Sequence, residues 1–318
     1  MLSLLSYHTL MPALGVIAML KPLVSTNPLA KLAKSAIYCE FELSQDKERS
    51  QVKKSMEDKG YTLLSELSHL GGNPLLPKDF VWPCAAYNDN EKDAQDKMRP
   101  LVFSLQVDLS ELAPFDVDNQ LPHKGLMVIF TVGNFFYWDE YENQSKVYIF
   151  EDIDSLVETS RPSEPPVGHD YDASDLVLPH CLMGIKATWS VPEEYSNILD
   201  EDEETFSDGV NAFGLSQEQV HDINANYEDY YKELMEKDGL AEKDEVPSQF
   251  LGWGQYIQGD YVGSNNETLF FTLSSFFDEN IKEWPLCIGD AGAIYHFIDL
   301  ADLKAKNFSD IRSTMDCY

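Results

Sequence analysis

The stretch Cys287-Ile288-Gly289-Asp290-Ala291-Gly292-Ala293-Ile294-Tyr295-His296-Phe297-Ile298 sets the reading of the chain. A turn of Gly and Asp feeds a run of aromatic and β-branched residues, which reads as turn followed by strand. Upstream, Leu269-Phe270-Phe271-Thr272-Leu273 reads as another strand. The same order occurs earlier, where Leu101-Val102-Phe103-Ser104-Leu105 precedes Gly125-Leu126-Met127-Val128-Ile129-Phe130. Leu101 to Gly125 is 24 residues and Leu269 to Gly292 is 23. Leu-x-Phe-[Ser/Thr]-Leu at a near-constant distance from a Gly-led strand points to an internal duplication.

Around that framework, 318 residues with 43% hydrophobic and 12% aromatic content can bury a large core. The formal net charge is −32, from 55 acids against 23 Lys and Arg. That balance argues against non-specific nucleic-acid binding, which needs phosphate neutralisation, and against docking on an anionic membrane. It allows a basic protein partner, or it serves solubility. Cys39, Cys84, Cys181, Cys287 and Cys317 are odd in number and widely spaced, without Cys-x-x-Cys. This suits free thiols in a reducing compartment, so the expected location is cytoplasmic.

Residues 1–36 read as an N-terminal extension and 37–318 as one domain of two similar halves, about 60–190 and 191–318. Met1 to Leu20 is apolar but interrupted by Ser, Tyr, His and Pro12, short of the ~20 residues a spanning helix needs. It reads as an amphipathic helix packed on the body. Ala36 to Leu43 reads as a strand and Ser44 to Gly60 as a short solvated helix. His69 to Pro83 holds Gly71, Gly72, Pro74, Pro77 and Pro83 and reads as a rigid loop with no regular element. Leu101–Leu109, Leu126–Val132, Phe135–Trp138, Val147–Phe150 and Met183–Val191 are strand candidates. Thr159 to Ser174 carries three prolines and reads as an exposed linker.

Glu193 to Glu245 holds 18 acids against three lysines. Ser216 and Gln219 form a capping box, and Val220, Ile223, Tyr227, Tyr230 and Leu234 fall near helical spacing. One face therefore packs and the other is acidic. Asp200, Glu201, Asp202, Glu203 and Glu204 form the densest block and are the candidate binding face.

These landmarks together resemble the YwqG-like family, bacterial proteins grouped as a domain of unknown function. The residues that carry the resemblance are Gly71-Gly72-Asn73-Pro74 with Pro77 and Trp82-Pro83, and Leu101-x-Phe103-x-x-Gln106-x-Asp108-Leu109. Leu121-Pro122 with Gly125, Leu251-Gly252, Gly289-Asp290-Ala291-Gly292 and Asp302-Leu303 with Asn307-Phe308 complete it. Where the family has Trp before the Gly-Asp turn, Ile288 stands here. The resemblance implies an α+β fold, mostly antiparallel sheets from two tandem similar halves with peripheral helices. It implies no established activity, so no catalytic residue is carried over.

The seven histidines are far apart in sequence and Gly-x-Ser-x-Gly is absent, so the residues name no catalytic group, metal or cofactor. Gly71, Gly72, Asn73, Trp82, Asp290 and Gly292 are the cleft candidates, with positive φ expected at Gly72 and Gly292. Two functions follow. The first is a non-enzymatic protein-binding module for a basic partner, such as an immunity or accessory protein to a secreted toxin. The second is an enzyme or small-ligand binder with a cleft between the halves.

Overall fold

The computed structural model describes residues 20, 23, 25–43, 48–86, 98–131, 145–162, 177–194, 196, 199, 213–238, 240, 246–258, 266–278 and 281–318. Its strands in chain order are β1 Lys34–Leu43, β2 Thr62–Leu63, β3 His69–Leu70, β4 Leu75–Leu76, β5 Cys84–Ala86 and β6 Met98–Pro100. Next come β7 Val102–Asp108, β8 Leu126–Thr131, β9 Lys146–Phe150, β10 Val157–Glu158, β11 Cys181–Ser190 and β12 Ser248–Phe250. The last are β13 Glu267–Ser274, β14 Phe276–Asp278, β15 Glu283–Leu286, β16 Ala293–Asp299 and β17 Arg312–Asp316. The helices are α1 Arg49–Asp58, α2 Leu109–Leu112, α3 Gln217–Ala225, α4 Tyr227–Asp238 and α5 Leu300–Ala305, with a 3-10 turn at Pro28–Leu32.

An eleven-stranded antiparallel sheet runs β17-β16-β13-β12-β1-β11-β3-β7-β8-β9, with β2 on β11. The fold is α+β, as expected. At the centre β1 and β11 pair over their full length, from Lys34↔Ser190 to Leu43↔Cys181. The sheet runs outward from this pair on both sides: β1 leads through β12 to β13 and β16, while β11 leads through β3 to β7 and β8.

The long strands are buried on both faces, which is why they read as near-continuous apolar runs. In β7 and β8, Leu105, Val107, Met127 and Ile129 enter the main core. Phe103, Leu126, Val128 and Phe130 enter a second cluster with Trp82 on the other face. The register shifts between Phe103 and Leu105, which makes Ser104 a bulge. The bulge reverses the alternation, so that Val102 and Leu105, three residues apart, both reach the main core.

β13 and β16 pair in the same antiparallel sense, with their shift between Leu269 and Phe271. The shared Leu-x-Phe-[Ser/Thr]-Leu pattern aligns Phe103 with Phe271, whereas the bulges align Phe103 with Leu269. The two alignments differ by two residues, a displacement that keeps each side chain on its face.

The His69–Pro83 segment departs from the expected loop. It holds β3, which bridges β11 and β7, and β4, which pairs with β10. Two-residue strands carry no periodic signal, and Gly and Pro around them mask what there is. The acidic segment also differs in detail. The capping box is present, with Gln219 N–H donating to Ser216 Oγ at 3.2 Å and Ser216 N–H to Gln219 Oε1 at 3.0 Å. The chain then breaks at Asn226 (φ −130°, ψ 20°) into α3 and α4. The break shifts the helical phase, so Tyr231 joins Val220, Ile223, Tyr227 and Leu234 as a buried residue against Leu29 and Leu32. The N-terminal helix over residues 1–20, the aromatic strand Phe135–Trp138, most of the Thr159–Ser174 linker and the Asp200–Glu204 block lie outside the described residues. Among the described residues no helix is long and apolar enough to cross a membrane.

Candidate functional site

β3 ends at Leu70, and the chain must turn at once to leave the sheet. It does so with two left-handed residues, Gly71 (φ +62°) and Gly72 (φ +71°). Gly71 N–H donates to Ser104 O at 2.8 Å and Gly72 N–H to Leu178 O at 2.9 Å, so the turn is stitched to both neighbouring segments. A Cβ on Gly71 would stand 2.2 Å from Pro179 O, which no substitution can accommodate without moving backbone. Behind the turn, Gln106 is wholly buried. Its Nε2 donates to Leu67 O and its Oε1 accepts from Leu75 N–H, at 2.9 and 2.8 Å, clamping both flanks of the loop.

The β4–β10 ribbon then sets the opposite wall. Leu76↔Val157 and Leu75↔Glu158 pair, and Thr159 N–H donates to Pro74 O at 2.9 Å. This pairing carries Arg161 to the side of the loop, where its Nη2 donates to Pro100 O at 2.8 Å. The result is a cavity of about 190 Å³ lined by Gly72, Asn73, Trp82, Phe103, Arg161 and Leu178, with Ser160 and Val177 at its edge. Its aromatic walls are fixed. Trp82 Nε1–H donates to Leu101 O at 2.9 Å, and Phe103 meets the His69 ring edge-on at 5.7 Å.

A histidine pair stands behind the wall. His69 and His180 have ring centroids 4.6 Å apart, and the Cβ that Gly72 lacks would meet His180 Cδ2 at 3.1 Å. His69 Nδ1 lies 2.9 Å from Gly71 O. A carbonyl only accepts, so Nδ1 carries the proton. Burial, then the neighbouring His180, push the His69 pKa down to about 4, so the ring is neutral near pH 7. Asn73 Nδ2–H donates to Glu158 Oε1 at 2.9 Å.

Gly72, Asn73 and Trp82 thus stand on one cavity, with Gly71 packed behind it. Asp290 and Gly292 are elsewhere. Their turn leaves the same edge of the sheet, since Leu70 pairs with Cys181 and Ser274 with Ala293. Four strands, β11, β1, β12 and β13, separate it from β3. The cavity accordingly lies on residues between 72 and 178, with Asp290 and Gly292 outside its described lining. The left-handed residues of the second turn are Gly289 (φ +54°) and Ala291 (φ +55°), not Gly292. Gly292 is required there by close approach, because a Cβ would lie 2.1 Å from Asp316 O.

Arg161, Phe103 and Leu178 were not legible as site residues. Arg161 sits in a proline-rich stretch whose composition says only linker, and its place depends on the β4–β10 pairing. Among the described residues no group of three or more His, Cys, Asp or Glu stands together in a way that could hold a metal ion.

A long antiparallel sheet with a small, half-open cavity at the end of a short bridging strand defines the class: an α+β domain with a surface pocket. Residues 68–317 match the family described as Domain of unknown function (DUF1963), and the chain belongs to that family. No curated protein matches the chain.

Proposed function

We propose that this is a small-ligand binder whose site is the cavity beyond β3. The observation that carries the reading is the convergence of three sequence candidates, Gly72, Asn73 and Trp82, with Arg161 on one half-open cavity. A concave, aromatic-walled site with a few polar groups and a histidine of perturbed pKa beside it is the form binding sites take. The test is a fragment screen by ligand-observed NMR on the wild type and on Val177→Trp. Val177 is 53% exposed at the cavity edge, so the indole can enter the cavity without disturbing the core. Fragments that bind the wild type and lose binding in the variant support the reading. Fragments that bind both equally, or none at all, defeat it.

A second reading, a non-enzymatic module for a basic protein, rests on α3 and α4. Their apolar stripe is used against Leu29 and Leu32, while Glu218, Glu228, Asp229 and Glu236 face water. Asp200–Glu204 add to the acidic charge of the same stretch of sequence, and an immunity or accessory role toward a secreted toxin is one such function. The finer assignment belongs with these proposals: a YwqG-like, bacterial, cytoplasmic protein built from two similar halves. Matching bulges at Ser104 and Phe270 support the two halves.

A further inference from the structure

We infer that residues 25–43 are an exchangeable arm, and that the slot between β11 and β12 takes the β1 strand of a second copy of this chain in place of its own. The inference is independent of the cavity reading. Three observations carry it.

The first is what the arm touches. Asn27 Nδ2–H donates to Tyr230 O at 2.9 Å, Leu29 and Leu32 are buried against α3 and α4, and Trp253 Nε1–H donates to Leu32 O at 2.6 Å. β1 then lies between β11, from Lys34↔Ser190 to Leu43↔Cys181, and β12, from Ile37↔Phe250 to Cys39↔Ser248. Ser35 with Asp118 and Glu40 with Lys59 are its bonds to earlier parts of the chain. Residues 44–48 join the arm to α1, so an arm out of the slot stays on its own chain by a tether of at most ~17 Å. The second is where the slot comes from. The family match, residues 68–317, includes β11 and β12 and leaves out β1. Without β1 the matched region would present two strand edges facing each other in the middle of its sheet. Ile37, Cys39 and Phe41 of β1 complete the main core there. Any copy of the arm makes these contacts identically. Own and foreign arm then differ only in the tether, which is the condition for exchange between protomers. The third is selectivity. Glu40 and Glu42 alternate with Cys39, Phe41 and Leu43 along β1, and in the slot Glu40 meets Lys59. Two β1 strands side by side would bring carboxylates together, so a released arm is steered to a slot and not to another arm.

Leu43 stands opposite Cys181, so Leu43→Cys places two thiols in cross-strand register. Glutathione disulfide oxidises the pair and is itself reduced to two glutathione thiols. The bond formed lies within one chain in the monomer and joins two chains after exchange. The unsubstituted chain and the variant are unfolded in urea and refolded at ~1 and ~100 μM in ~0.5 M salt, which screens the repulsion between two chains of net charge −32. Light scattering gives the mass, circular dichroism the fold and peptide mapping the linkage. A short tether sets an effective concentration in the millimolar range, so dimer should hold on the order of a tenth of the chains at ~100 μM and about a hundredfold less at ~1 μM. Deleting Gln45 and Asp46 hinders closure on the chain's own slot and should raise the dimer at ~1 μM about 10-fold or more. Leu43→Cys dimers should be joined 43 to 181 between chains. Dimers of the unsubstituted chain should persist on dilution, because separation requires β1 to leave the sheet. Monomer at both concentrations in the unsubstituted and shortened chains overturns the inference. So do dimers whose 43–181 bonds stay within each chain, and dimers that part within seconds of dilution.

Discussion

Two turns in this molecule are built alike and used differently. In the first, β3 ends and Gly71 and Gly72 follow, both left-handed; in the second, β12 ends and Leu251 (φ +60°) and Gly252 (φ +74°) follow, both left-handed. Each turn is anchored to a bulge: Gly71 N–H donates to Ser104 O, and Leu251 N–H to Phe270 O. Each has a buried glutamine. Gln106 clamps the flanks of the first turn, and Gln249 Nε2 donates to Leu251 O and Trp253 O of the second. The second turn is closed. Leu251 fills the main core, Trp253 N–H donates to Ser190 Oγ, and Trp253 Nε1–H donates to Leu32 O. The first carries glycine where the second carries leucine, and beside it is a cavity. A leucine tolerated at φ +60° shows that side-chain burial outweighs about 1 kcal/mol of backbone strain. A glycine at the matching place answers to close approach: the space a side chain would need is already taken by the carbonyls of Leu178 and Pro179.

The sharpest way to break this comparison is Gly71→Ala. The added methyl meets Pro179 O and Leu178 O, both backbone, so roughly 3 kcal/mol or more of stability should be lost, read as a lower urea midpoint. An unchanged midpoint would mean that the first turn is not held as described. Next in size, Gln106→Leu and Gln249→Leu should each cost about 2–3 kcal/mol, because each strands two buried backbone groups. Similar losses sharpen the likeness of the two turns, and fragment binding in the cavity should suffer only in Gln106→Leu.

Each side of the central strands also holds a buried histidine, His69 in β3 and His296 in β16. His69 and His296 are both held near pKa 4 by burial, against an ordinary 6.5. Below pH 6.5 the unfolded chain takes up a proton that the folded one refuses. Stability therefore falls as pH drops from 6.5 toward 4, by about 2 kcal/mol per histidine at pH 5. His69→Asn, which can still donate to Gly71 O, should flatten the pH dependence of the urea midpoint between pH 7 and 5. An unchanged slope would show that His69 is not neutral in the fold. The smallest effect is expected on the acidic face. Neutralising Glu218, Glu228, Asp229 and Glu236 together with Asp200–Glu204 should shift stability by no more than about 0.5 kcal/mol per site. Stopped-flow association with a basic test protein should slow most below ~0.1 M salt, and equal rates at all salt concentrations would remove the binding-face reading.

The long strands were legible because two-sided burial writes itself as apolar runs such as Leu126–Phe130 and Leu269–Leu273. The capping box at Ser216 was legible because its chemistry is local. β3, β4 and β10 were not, since two residues have no period and their pairing is decided by partners up to about a hundred positions away. The site was half legible for the same reason. Gly71, Gly72, Asn73 and Trp82 lie within one stretch whose glycines and prolines announce a fixed backbone. Arg161, Phe103 and Leu178 reach it only through tertiary pairing. Nothing in the motif spacing reveals that four strands intervene in the sheet between the two glycine turns.

The place of β1 at the centre of the sheet has a consequence for synthesis. Its partners are residues 181–190 and 248–250, and the Lys34–Ser190 contact alone spans 156 positions. At ~5–20 residues per second, β1 leaves the ribosome on the order of ten to forty seconds before β12 exists to cover its second edge. Closing loops of that length slows folding more than it weakens the finished sheet. Until β11 is made both edges of this ten-residue strand are open, and until β12 follows one still is; Lys34, Glu40 and Glu42 along it act as the charges that discourage pairing with a neighbouring nascent chain.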